Sequence, residues 1–212
     1  MNLESIITNP FSFVFWALAL LVSVTIHEFS HAFVADRLGD PTPRTEGRLT
    51  LNPLAHLDPI GTIALLLFRI GWGKPVPIDQ FNFRNPRRDA AIVSLAGPLS
   101  NIIVAIILSL LIRLPFFQIP LLITFFYTLI IISIGLAIFN LLPIPPLDGS
   151  HIFLGLLSPR VAAEWEQALS QYGLLILIFI LFPFFGNQPL VNIIILPIIN
   201  FILGLLLPGA NF

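Results

Sequence analysis

Long apolar runs alternate along this chain with short polar stretches rich in glycine and proline. The first run, Phe11 to Ala35, exceeds the roughly 20 residues that cross a bilayer core as a helix, and its only ionisable groups are His27, Glu28 and His31. Further spans are expected at about Asp89 to Leu114, Leu121 to Leu142, Tyr172 to Phe185 and Leu190 to Leu207. Pro183 and Pro197 interrupt the last two. Ile60 to Ile70 is apolar but only about eleven residues long, too short to span, and is expected to enter and leave the membrane on one side.

The intervening polar stretches break helices at Gly39, Pro41, Pro43 and Gly47. Arg48 to Leu51 alternates polar and apolar, the period of a strand, and Pro75 to Ile78 with Phe81 to Phe83 offers a second. Proline would confine such strands to edges or irregular pairings. After Asp148 come the apolar stretch Ile152 to Leu157 and a polar segment, Arg160 to Gln171, expected to lie at the membrane surface as an amphipathic helix. The pattern therefore predicts an all-α polytopic membrane protein of about five to six transmembrane helices, with a short re-entrant helix. Neither repeat nor linker divides it, so residues 1–212 read as one domain, with its core over 11–157 and C-terminal transmembrane helices over 172–207.

Composition strengthens the membrane reading. Of 212 residues 57% are hydrophobic and 10% charged, with a mean hydropathy of +0.96. A net charge of -1 without a basic face argues against nucleic acid. The absence of cysteine removes disulfides, thiolate catalysis and Cys-ligated zinc, so any metal must use His, Asp or Glu. Met1 to Pro10 lacks the basic flank and cleavage site of a signal peptide, so the first run is expected to be retained as a span. If the short helix turns back, the polar loops holding Arg37, Arg44, Arg48, Arg69, Lys74, Arg84, Arg87 and Arg88 share one side. These are eight of the ten basic residues, and short basic loops stay cytoplasmic. The His27 end of the first span then faces the cytoplasm.

The chemistry concentrates in His27-Glu28-Phe29-Ser30-His31. On a helix, positions i and i+4 share a face roughly 6 Å apart along the axis, so both imidazoles can reach one ion. H-E-x-x-H on a helix is a zinc-metalloprotease pattern with the glutamate as general base. Hydrocarbon penalises unpartnered ionisable groups by about 2.5 kcal/mol or more, so a buried polar cluster without a cation is a poor competitor. A catalytic zinc needs a third protein ligand, and the candidates are His56, Asp148 and His151, with the acids of the polar loops. Asp148 is preferred: Pro143, Pro145 and Pro146 precede it, interrupting a span and freeing backbone carbonyls that only a wet or protein-lined cavity tolerates. Helix N-capping competes for Asp148 because Gly149 and an apolar run follow. His56 fits a turn-ordering role as well as substrate contact, and His151 a structural role. Asn140 and Asn101 could donate to an oxyanion or pin a substrate strand, or simply tie helices together.

With H-E-F-S-H at 27–31, A-G-P-L-S-N at 96–101 and N-x-x-P-x-P-P-L-D-G at 140–149 in that order, the chain resembles the site-two proteases, intramembrane zinc metalloproteases, in a compact form without a separate regulatory domain. The resemblance implies one zinc ion held by His27, His31 and Asp148, with Glu28 as the catalytic base. It also implies that the strand candidates form a small β-sheet near the active site that holds substrate extended. The implied substrates are proteins with transmembrane helices, and the compact chain suits a prokaryotic cytoplasmic membrane. Asn140, Asn101 and His56 remain candidate substrate contacts. Two other classes compete: a metal transporter using the same three ligands, in which Glu28 has no necessary part, and a catalytically dead scaffold that binds membrane helices, in which loss of ligands or base would be expected.

Overall fold

The computed structural model describes residues 10–68, 72–184 and 188–207. The expected reversal at Ile70, the reading of Met1 to Asn9 and the expected end of the Tyr172 span at Phe185 lie outside them. The α-helices are α1 (Pro10–Leu38), α2 (Thr42–Thr45), α3 (Pro59–Phe68), α4 (Pro86–Leu111), α5 (Pro120–Asn140), α6 (Asp148–Leu156), α7 (Pro159–Leu181) and α8 (Leu190–Leu206). Proline opens α1, α3, α4, α5 and α7, the position where its missing N–H costs nothing. Gly39, at φ +109°, ends α1. Asp58 caps α3 by accepting from the Gly61 N–H at 2.7 Å.

Among the described residues three helices are long and apolar enough to cross a membrane, Phe11–Leu38, Pro86–Leu111 and Pro120–Asn140, against the five to six expected. They form the centre of the bundle, with α4 packed between α1, α5 and α6. Buried Ala19, Ala105, Leu108, Leu129, Ile130 and Ile134 make the main core with Leu203 and Leu207 from the C-terminal end. A Ser23–Ser133 hydroxyl pair at 2.9 Å ties α1 to α5 inside it, the kind of polar tie that replaces hydrophobic drive between membrane helices.

Two expectations change. The surface helix at Arg160 to Gln171 and the span from Tyr172 are one continuous 23-residue helix, α7. Nothing between Val161 and Leu181 breaks it, and Gly173 gives room to Pro145, whose Cδ would lie 2.9 Å from an added Cβ. The second change concerns the small β-sheet: no strand forms among the described residues. Segments 48–58 and 72–83 do lie together, but their only ladder contact is an isolated antiparallel bridge between Leu57 and Gly73. Pro75 and Pro77 have no N–H to continue it. Residues 80–82 instead form a 3₁₀ turn capped by the Asp79 carboxylate, which accepts from the Phe81 N–H at 3.0 Å.

One backbone bond and several side chains do the joining that a ladder would. The Lys74 N–H donates to the His56 carbonyl at 2.8 Å, and Arg48 Nη2 donates to the Lys74 carbonyl. Asp40, fully buried just past α1, accepts from the Thr42 N–H and hydroxyl, the Asn82 amide and the Asp79 N–H. Burial pushes the Asp40 carboxyl up, but these four donors outweigh it and hold its pKa below the ordinary value.

Candidate metal centre

His27 and His31 stand one turn apart on α1, their rings edge to face with centroids 4.6 Å apart. They are nearly fully buried, at 4% and 6% exposure. Asp148 is the first residue of α6 and reaches both of them. Its Oδ2 lies 3.0 Å from His27 Nε2 and its Oδ1 3.3 Å from His31 Nε2. The carboxylate therefore faces the histidines, and α6 has no side-chain cap at its N-terminus. One ligand atom from each residue lies within 4.8 Å of the others. Tetrahedral zinc, with bonds of roughly 2.0–2.2 Å, places its ligand atoms about 3.3 Å apart.

The hydrogen bonds behind the rings test whether this set suits a cation. His31 Nδ1 lies 2.7 Å from the Val93 carbonyl of α4. A carbonyl only accepts, so Nδ1 carries a proton, and Nε2 is the ring atom left to face Asp148 and to serve a cation. A cation seated between the two rings and the carboxylate would take one lone pair from each. Two imidazoles and a carboxylate, each offering one atom to a shared point, fit zinc.

Gly97 makes the approach of α4 possible. A Cβ there would lie 2.4 Å from His31 Nε2, 2.6 Å from His31 Cε1 and 2.7 Å from His27 Cε1. Pro98 follows inside the helix and cannot donate to the Ser94 carbonyl, which loosens the ladder one residue beyond the carbonyl that holds His31. Gly149 does the same for Asp148: a Cβ would lie 2.3 Å from the Leu141 and Leu142 carbonyl oxygens, so α6 could not start against the end of α5.

Glu28 is the fourth member of the cluster. Its Oε2 accepts from the Val76 N–H at 3.1 Å, which anchors one carboxylate oxygen to the 72–79 segment. A cavity of about 390 Å³ opens beside it, lined by Glu28 and His27 together with Ala17, Leu20, Leu21 and Val24. These six residues recur at intervals of three and four, so a single face of α1 runs from an apolar stripe into the site. Phe139 and Asn140 of α5 line the facing wall, and Gly61, Thr62 and Trp72 close it. The Asn140 amide donates to the Leu136 carbonyl at 3.0 Å while lining that wall.

The other predicted contacts lie elsewhere. His56 is fully buried and its Nε2–H donates to the Thr50 carbonyl at 2.8 Å, so it orders the 48–58 loop instead of facing the cavity. Asn101 is fully buried behind His27, its Nδ2 3.3 Å from His27 Nδ1, and not on the cavity wall. His151 is exposed. Sequence reasoning missed Val93, Gly97, Val76 and Arg48. Val93 and Val76 act through backbone atoms, which no side-chain pattern announces. Gly97 did leave a signal, as a glycine directly before a proline inside an apolar span. Arg48 is 4% exposed, and burial lowers its guanidinium from the ordinary value while Glu28 and Glu46 act in the opposite sense.

An apolar helical bundle enclosing two histidines and an aspartate beside an anchored glutamate is the arrangement of a membrane protein with a candidate metal centre. The model of peptidase family M50 matches residues 15–120 and 115–182. This chain therefore belongs to peptidase family M50, the site-two protease family. It is 41% identical over 191 residues to "Putative zinc metalloprotease YwhC" of Bacillus subtilis (strain 168), covering 86% of this chain and 84% of that protein. It is 36% identical over 172 residues to "Putative zinc metalloprotease Rip2" of Mycolicibacterium smegmatis, covering 76% and 64% of the two chains. With "Zinc metalloprotease MJ0392" of Methanocaldococcus jannaschii it shares 32% over 200 residues, 82% of this chain and 50% of that one. The chain thus spans most of the first relative and less than two thirds of the other two. No solved structure gives a significant match.

Proposed function

We propose that this protein is an intramembrane zinc metalloendopeptidase that hydrolyses peptide bonds within or near transmembrane segments of other proteins. One observation carries the reading: the only glutamate of the first span sits beside a His27, His31 and Asp148 cluster, at the end of an apolar cavity. His27, His31 and Asp148 would hold one zinc ion, which supplies Lewis acidity towards the scissile carbonyl and makes water a stronger nucleophile.

The protein's own residues do the rest. Val76 fixes Glu28 Oε2, leaving Oε1 to take a proton from the attacking water. The water oxygen bonds to the carbonyl carbon, the C–N bond breaks, and the proton held on Glu28 passes to the leaving amine. The apolar face from Ala17 to Val24 suits a substrate segment drawn from lipid, and Asn140 on the facing wall offers a polar contact to its backbone. Gathering of basic residues in the loops around the site favours opening towards the cytoplasm, in a prokaryotic membrane like those of the relatives named above.

Cleavage of a single-span substrate by purified protein tests this, with Glu28→Gln as the comparison. Removing a general base lowers the rate by about 10²–10⁴-fold, while zinc content stays at that of the parent. Equal cleavage by both proteins would refute the mechanism. Metal flux into liposomes without cleavage would instead indicate transport, and substrate capture without cleavage a scaffold.

A further inference from the structure

The two metal-facing histidines are backed by one helix but by different chemistry. His31 donates its Nδ1–H to the Val93 carbonyl, which can only accept, so its tautomer is set permanently. His27 has the Asn101 amide behind it, Nδ2 at 3.3 Å from Nδ1, and an amide can either donate or accept. Asn101 is fully buried, and its Oδ1 has no hydrogen-bond partner among the described residues. Val93 and Asn101 are eight residues apart on α4, about two turns.

With its amide turned this way, Asn101 serves one tautomer of His27. Asn101 Nδ2–H donates to a bare His27 Nδ1, and the proton on Nε2 is shared with Asp148 Oδ2 at 3.0 Å. Ligation needs the opposite tautomer, because Nε2 must present its lone pair and the ring proton then sits on Nδ1. An Nδ1–H facing the Asn101 NH₂ is donor against donor. A half-turn of the amide removes the clash by bringing the orphaned Oδ1 to the ring, and since amide O and N are nearly the same size the buried site need not expand.

We propose that Asn101 is a positioning residue for the metal: by turning its amide it serves both tautomers of His27, and in the loaded protein its oxygen accepts the His27 Nδ1–H and holds Nε2 towards the ion. This rests on the zinc site proposed above. It replaces the substrate contact expected for Asn101, since a residue behind the ring cannot meet a peptide in the cavity. Partners of this kind commonly contribute 10–100-fold to metal affinity.

The test compares zinc affinity, by competition with a chromophoric chelator, for the parent protein, Asn101→Leu and Asn101→Asp, together with the thermal stability of each metal-free protein. Leucine keeps the volume but cannot accept, and is expected to weaken zinc binding by about 10–100-fold. Aspartate can only accept, so it is expected to bind zinc at least as tightly as the parent while its metal-free form loses stability. A merely structural asparagine predicts something else, because a buried carboxylate would then harm binding and stability together. Parent-like affinity in Asn101→Leu, or an Asn101→Asp protein as weak as Asn101→Leu, overturns the proposal. A parent protein that binds no zinc would sink the zinc site itself, which is a separate result from either of these.

Discussion

Replacing Gly97 with alanine adds one methyl group at the place where α4 meets both imidazoles. The new Cβ would stand 2.4 Å from His31 Nε2 and 2.7 Å from His27 Cε1. Ordinary carbon contacts begin near ~3.5 Å, so atoms must separate by about 1 Å. Ligand positions at a metal tolerate about 0.2 Å, five times less. The rings have little freedom to retreat, because His31 is held by the Val93 carbonyl at 2.7 Å and His27 lies between Asn101 and Asp148. Moving α4 instead would disturb its packing against α1, α5 and α6. Overpacking of this kind costs about 1–3 kcal/mol; charged against ligation, that is roughly a 5–150-fold loss of zinc affinity. Helix propensity acts the other way, alanine being favoured over glycine by about 1 kcal/mol. The signature of Gly97→Ala is therefore weakened zinc binding with metal-free stability close to the parent's, read by chelator competition and thermal unfolding in detergent. Gly135→Ala on α5, whose Cβ meets nothing within 4 Å, is the control and should bind zinc normally. Undiminished zinc affinity in Gly97→Ala would refute the close approach of α4 to the histidines.

Other outcomes follow from the same geometry. Gly149→Ala drives a Cβ to 2.3 Å from two carbonyl oxygens; backbone cannot swing aside as a side chain can, so a loss of about 1–3 kcal/mol should appear as a lower unfolding temperature, together with weaker zinc binding through Asp148. Asp148→Ala removes the carboxylate that reaches both rings and should leave purified protein without stoichiometric zinc, whereas full occupancy would exclude Asp148 as a ligand. Asp40 has a depressed pKa in the folded protein, so its contribution is fully present above the ordinary carboxylate value and is lost as pH falls from about 4 through the lower folded value. Unfolding profiles of the parent and Asp40→Asn should differ at neutral pH and converge in acid; a constant gap down to pH 2 would contradict the assignment.

What could be read directly from the chain was local or rested on the cost of burial. His27 and His31 are legible because a 3.6-residue period places i and i+4 on one face whatever surrounds the helix. Asp148 is legible because a carboxylate among prolines in an apolar stretch needs a partner, and the long apolar runs announce the central helices. Other features depend on which segments meet. Val93 and Val76 contribute a carbonyl and an N–H, groups every such residue possesses, so only proximity gives them roles. Pro75 to Ile78 with Phe81 to Phe83 offered a second strand, but prolines without N–H groups and competing bonds from Arg48, Asp40 and Asp79 decided its form. Asn101 stood in a recognisable motif, yet its direction, behind His27 and away from the cavity, was set by how α4 crosses α1. Sequence by itself determined which groups could bind a metal, since that is a property of side-chain chemistry and helical period. Tertiary structure alone decided which groups hold those ligands in place, because hydrogen-bond roles and the space for a missing Cβ exist only between packed segments.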